Sequence, residues 1–113
     1  MLAELGIERP FLIASGRWSS LDLPSIGSWH EVPSDRVEEI ARLVAANGAD
    51  GLLAVGGGSA IDLAKGVSAA TGLPVVSVPT TYSGAEWPDN FGVRDPERRI
   101  VGGGTGAHTA GIV

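Results

Sequence analysis

The chain contains no cysteine, which removes disulfides, thiolate metal sites and a cysteine nucleophile from its chemistry. Any redox reaction would need a bound cofactor. Long apolar runs are also missing: none approaches the roughly 18 residues of a membrane-spanning helix. The start, Met1-Leu2-Ala3-Glu4-Leu5-Gly6, has no basic region and no long apolar core, so it does not read as a secretory signal. A soluble, cytoplasmic chain without a membrane partner is therefore expected. Basic residues are few, 8 Lys and Arg against 13 Asp and Glu, for a net charge of −5. The only basic cluster is Arg94, Arg98 and Arg99, which argues against a nucleic-acid partner.

Among what is present, 43% of the residues are hydrophobic and 19% charged, a globular balance. A length of 113 residues suits one domain with a real core but is small for a complete two-substrate enzyme. Seventeen glycines are many for such a chain, and several should mark turns or close backbone approach.

Phe11-Leu12-Ile13-Ala14, ending at Ser15-Gly16, reads as a short buried strand. From Arg17 to Pro33 no period is visible, and the stretch is read as a loop. Ser34 is the expected N-cap of a helix with Val37, Ile40, Ala41, Val44 and Ala45 on one face, closed by Asn47-Gly48. A strand from Leu52 to Val55, a helix from about Ala60 to Ala70, a Thr71-Gly72 stop and a strand from Val75 to Val78 follow. Strand-helix-strand-helix-strand implies an α/β fold, a parallel sheet with flanking helices joined by right-handed crossovers. After Pro79 the sequence is rich in Gly, Pro, Asp and Thr, with short strands expected at Ile100-Val101 and from Ile112. The apolar end at Val113 leads to the expectation that the natural polypeptide, or its closest relatives, continues.

The central motif is Gly56-Gly57-Gly58-Ser59, between an apolar strand and a helix. Glycines there let a phosphate approach the backbone, and the N–H groups of the following helix can bind an anion. Ser59 and Asp62 also fit a capping box, which leaves Asp62 open between a structural and a cofactor-binding role. The turn is not the G-x-G-x-x-G fingerprint, because Ile61 stands where the last glycine should fall. A second motif, Pro79-Thr80-Thr81-Tyr82-Ser83-Gly84-Ala85-Glu86-Trp87, would leave a parallel sheet from the same edge as the glycine turn. Its hydroxyls could face the same crevice, or make local turn bonds and cap a helix with Glu86.

Gly56 to Lys65, followed by Gly72-Leu73-Pro74 and by Pro79 to Glu86, resembles the iron-containing alcohol dehydrogenase family, particularly its maleylacetate reductase-like branch. The resemblance implies a Rossmann-like, dehydroquinate synthase-like N-terminal domain. It makes 1–113 a dinucleotide-binding domain, truncated relative to the two-domain family. It also implies NAD or NADP as cofactor, with the pyrophosphate on Gly57, Gly58 and Ser59 and further contacts from Thr80, Thr81 and Ser83. Arg99 stands where many relatives carry a Lys that approaches the cofactor.

Two departures matter. Many NAD-preferring relatives end the first strand with an Asp for the adenosine ribose, whereas this chain has Ala14-Ser15-Gly16-Arg17. That removes repulsion against a 2′-phosphate, and Arg17 either pairs with one or is a solvated loop residue. The family's iron or zinc is held by an Asp and several His of a helical C-terminal domain, which lies outside these residues. His30 and His108 lack ligand-spaced partners and read as surface or hydrogen-bonded histidines. The expected function is thus the NAD(P)-binding part of an oxidoreductase. The alternatives are a non-catalytic nucleotide-binding or assembly module, and a relative of glycerol-1-phosphate dehydrogenase or dehydroquinate synthase. A face left without the second domain predicts self-association into a homo-oligomer.

Overall fold

The computed structural model describes residues 6–15, 25–32, 34–79, 91–97 and 99–112. Five strands form a single parallel sheet: β1 (Pro10–Ala14), β2 (Gly27–Trp29), β3 (Gly51–Gly56), β4 (Pro74–Pro79) and β7 (His108–Ile112), in the order β2-β1-β3-β4-β7. β5 (Phe91–Arg94) and β6 (Ile100–Gly104) make a separate antiparallel hairpin. β1 and β3 are buried along their whole length, which is why they read as unbroken apolar runs rather than as alternation.

Helix α1 (Val37–Ala46) buries Ile40 and Val44; α2 (Gly58–Thr71) buries residues on most of its circumference. Both pack on one face of the sheet, where Ile40, Val44, Ile61, Ala64 and Val67 meet Phe11, Ile13, Leu52, Ala54 and Val75. Each large aliphatic side chain buried there contributes on the order of 1.5–3 kcal/mol. The alternate strand residues Leu12, Ala14, Leu53, Val55 and Val76 form a second cluster on the opposite face with Ile7. The hairpin packs on α2: a Cβ on Gly66 would meet Val37 at 3.2 Å, Phe91 at 3.5 Å and Val93 at 3.6 Å.

Polar contacts tie these elements together at their ends. The Asp50 carboxylate accepts from the backbone N–H of Glu8 at 2.9 Å and of Arg9 at 2.8 Å, fixing the approach to β1. The Arg9 side chain donates to the carbonyls of Gly48 and Asn47, both at 3.0 Å, which satisfies acceptors at the end of α1. Buried Ser68 donates to the Leu73 carbonyl at 2.6 Å and accepts from the His108 N–H at 2.8 Å, joining the end of α2 to the start of β7.

The expected order of strands and helices is present, with five differences, one being that the last strand, expected from Ile112, begins at His108 and ends at Ile112. The stretch read as a loop up to Pro33 contains β2, a three-residue edge strand too short to show a period. The hairpin strand β5 was also unanticipated. α1 starts at Val37 with Arg36 at its N-cap, while Ser34 accepts from the Arg36 N–H at 3.2 Å in a turn before the helix. α2 starts at Gly58 rather than near Ala60, with Gly57 as a cap that has no side chain, so Ser59 and Asp62 do not form a capping box. Gly72 ends that helix as expected, at φ 78°.

Candidate functional site

In a sheet of this order the chain runs outward from β1 to β2 and then returns to place β3 on the other side of β1. Ligands of open α/β sheets bind beyond the carboxyl ends of the strands at such a reversal. The glycine turn occupies this position, at the carboxyl end of β3. Gly56 pairs with Pro79 across the β3–β4 ladder, so the turn and the Thr-rich segment leave the sheet from neighbouring points.

Gly56 adopts φ +143°, and a Cβ there would meet the Ala60 Cβ at 3.1 Å. Only glycine takes this conformation without strain. It lets β3 pass directly into α2, whose first intrahelical bond runs from the Ile61 N–H to the Gly57 carbonyl at 3.2 Å. The N–H groups of Gly58, Ser59 and Ala60 precede that bond and have no intrahelical acceptor. No acidic residue stands in the first turn and no side chain caps it, so the partial positive charge of the helix end is not neutralised from within. Gly57, Gly58 and Ser59 are half-buried and remain accessible. Unsatisfied N–H groups at an open helix end have the chemistry to receive an anion such as a phosphate or pyrophosphate.

Asp62 lies one turn further along α2 and is half-buried. Burial pushes its carboxyl above the ordinary aspartate range, against the opposing pull of Lys65, the Gly92 N–H and Arg94. The carboxylate is thus in the electrostatic company of the hairpin as well as of its own helix. Lys65, at i+3, is fully buried. Its neighbourhood to Asp62 follows from helical spacing, whereas nothing in the sequence signalled that Gly92 and Arg94 would join them.

Arg99 sits on the hairpin tip and is exposed. Its Nε donates to Asp95 at 2.8 Å, its Nη2 lies 3.1 Å from Glu97, and its backbone N–H donates to Asp95 at 2.9 Å. That backbone N–H, with the guanidinium and the Glu97 N–H, holds the Asp95 carboxyl below its usual range despite burial. The guanidinium of Arg99 is therefore engaged within its own turn. Arg17, Thr80, Thr81 and Ser83 lie outside the described residues.

His30, at the carboxyl end of β2, has Nδ1 3.0 Å from the Ala14 carbonyl oxygen at the end of β1. His108 is exposed at the start of β7, at the other edge of the sheet. Among the described residues no group of three His, Cys, Asp or Glu side chains could hold a metal ion. No described helix is long and apolar enough to cross a membrane. A groove of about 860 Å³ runs between the start of α1, the second half of α2 and the hairpin, lined by Val37, Glu38, Ala69, Phe91 and Gly104 among others. It includes none of the glycine-turn residues. The strand reversal and the open helix end, rather than cavity size, locate the candidate site.

A parallel sheet with both described helices on one face and a glycine turn at its reversal point defines an open α/β type of domain. The chain belongs to the iron-containing alcohol dehydrogenase family, whose model matches residues 26–109. It is 44% identical over 69 residues to a maleylacetate reductase of Pseudomonas knackmussii, a match covering 61% of this chain and 20% of that protein. Among solved structures, an iron-containing alcohol dehydrogenase from Corynebacterium glutamicum superposes with a TM-score of 0.80 at 27% identity, over 98% of this chain and 34% of the other. A maleylacetate reductase from Agrobacterium tumefaciens shares the fold with a TM-score of 0.77 at 21% identity, over 98% of this chain and 35% of the other. The chain thus corresponds to about a third of the length of these solved relatives.

Proposed function

We propose that the chain is the dinucleotide-binding part of an NAD(P)-dependent oxidoreductase of the maleylacetate reductase-like branch. The observation that carries this reading is the acid-free N-terminus of α2 behind Gly56, placed at the reversal between β1 and β3. The family is NAD(P)-dependent and iron-containing, which supports a dinucleotide as the anion. Gly57, Gly58 and Ser59 would hold the pyrophosphate with backbone N–H groups, and Thr80, Thr81 and Ser83 would close over it from the end of β4. Bound nicotinamide supplies hydride exchange with an alcohol or carbonyl carbon. The contribution of these residues is to hold and orient the cofactor. The family's metal does not fit the described residues, which bring together no three ligating side chains, and none of them is assigned to it.

Titration of the chain with NADH, NADPH and ADP tests the reading. At least one nicotinamide cofactor should bind, with ADP competing for the same site. Failure of all three to bind would overturn it. A second reading is a nucleotide-binding module without catalysis of its own. Cofactor binding without turnover, with iron or zinc added, is the result expected from that module.

A further inference from the structure

The parallel register that pairs Ile13 with Trp29 brings His30 beside Ala14, the last residue of β1. A carbonyl oxygen only accepts hydrogen bonds, so the 3.0 Å contact between His30 Nδ1 and the Ala14 oxygen requires the hydrogen on Nδ1. The neutral ring is therefore the Nδ1–H tautomer, with a lone pair on Nε2; the protonated ring offers Nε2–H instead. The imidazole is half-buried, and among the described residues Nε2 has no protein partner. A ring oriented through one nitrogen, whose other nitrogen meets no described residue, has the arrangement of histidines held by a carbonyl on their far side from a ligand.

Its place in the sheet indicates which ligand group. β1 pairs with β2 on one side, up to Ile13 against Trp29, and with β3 on the other, where Ala14 meets Val55; His30 follows directly on β2. His30 is thus two strand spacings, about 10 Å, from the strand that ends in the glycine turn. That offset suits the adenosine ribose of a dinucleotide whose pyrophosphate rests on the turn. The end of β1 itself, Ala14-Ser15, presents no carboxylate to that ribose.

On the dinucleotide reading above, we propose that His30 is a specificity-determining residue whose Nε2 contacts the 2′-substituent of the adenosine ribose. Neutral Nε2 accepts from a 2′-hydroxyl, and protonated Nε2 donates to a 2′-phosphate. The two cofactors distinguish these cases.

Calorimetric titration of wild type, His30→Asn and His30→Gln with NADH and with NADPH tests this, alongside thermal melts. Asn places an amide N–H where Nδ1–H lies and has nothing at Nε2; Gln places its amide near Nε2 and gives up the Ala14 contact. His30→Asn should melt like wild type yet lose roughly tenfold in affinity for one cofactor. A larger loss for NADPH identifies the phosphate, a larger loss for NADH the hydroxyl. His30→Gln should keep cofactor affinity within about threefold while melting lower. Wild-type affinity in His30→Asn, or an equal loss for both cofactors, would overturn the proposal and leave the dinucleotide reading standing. A wild-type chain that binds neither cofactor would overturn both.

Discussion

At the scale of single residues, Gly56 and Gly72 both have positive φ, but for different reasons. Gly72 lies in open space at φ +78°, and its substitution by Ala meets only the cost of the left-handed region, about 1–2 kcal/mol. Gly56 at φ +143° lies outside even that region and has Ala60 against it. Gly56→Ala should therefore destabilise more, on the order of 1–3 kcal/mol of backbone strain before the steric contact is added. Urea unfolding of the two variants should rank them in this order, and only Gly56→Ala should weaken NADH or NADPH binding. The need for glycine at the turn was legible from the triplet itself. Its geometry was not, because the sequence does not reveal which glycine bends and which caps: Gly56 bends, and Gly57, in extended backbone, is the N-cap. His30 was legible only as a histidine without spaced partners, since its contact with Ala14 exists only through the pairing of β1 with a strand that had no visible period.

At the scale of elements, the hairpin depends on a glycine where no side chain can fit. A Cβ on Gly103 would lie 2.6 Å from the backbone oxygen of Phe91, whereas one on Gly92 would meet nothing within 4 Å. Gly103→Ala should open the hairpin, seen as faster hydrogen exchange in Phe91–Arg94 with β3 protection retained, while Gly92→Ala should leave exchange unchanged. The hairpin tip and the approach to β1 also carry most of the resolved acid sensitivity. Asp50 and Asp95 are both held below the ordinary aspartate value of 3.8 by backbone N–H donors. Their stabilisation is complete above 3.8 and is lost as pH falls through their lowered folded values. Asp62 has the opposite sign: its raised carboxyl favours the folded state as it takes up a proton, so it partly offsets the loss. Melting temperature followed against pH should fall less steeply on the acid side in Asp50→Asn than in wild type. The Asp50 clamp was not readable beforehand, because Glu8 and Asp50 are 42 positions apart and meet only once β1 and β3 have paired. The helices were readable, since α1 shows its buried face directly in the spacing of Ile40 and Val44.

At the scale of the whole molecule, the sheet buries a cluster on each face, the two helices closing one of them, and among the described residues Leu43 is the only large exposed hydrophobic side chain. A lone exposed leucine is ordinary for a monomer surface, so the expected self-association gains no apolar patch from the described residues. Cofactor binding should register globally as a rise in melting temperature. At a hundredfold excess over the dissociation constant the gain is about 2.7 kcal/mol, provided the unfolded chain does not bind. A melt that stays fixed under saturating NADH and NADPH would contradict the dinucleotide reading independently of calorimetry. The all-parallel order also sets the order of assembly. No strand of the main sheet reaches its neighbour through a hairpin, and β3, the central strand, pairs on one side with β1, which precedes it by about forty residues. At synthesis rates of ~5–20 residues per second, apolar β1 waits roughly 2–8 s for that partner to be made. The arrangement that brings the carboxyl ends of these strands to one edge of the sheet therefore leaves β1 without its central partner while the intervening chain is still being made.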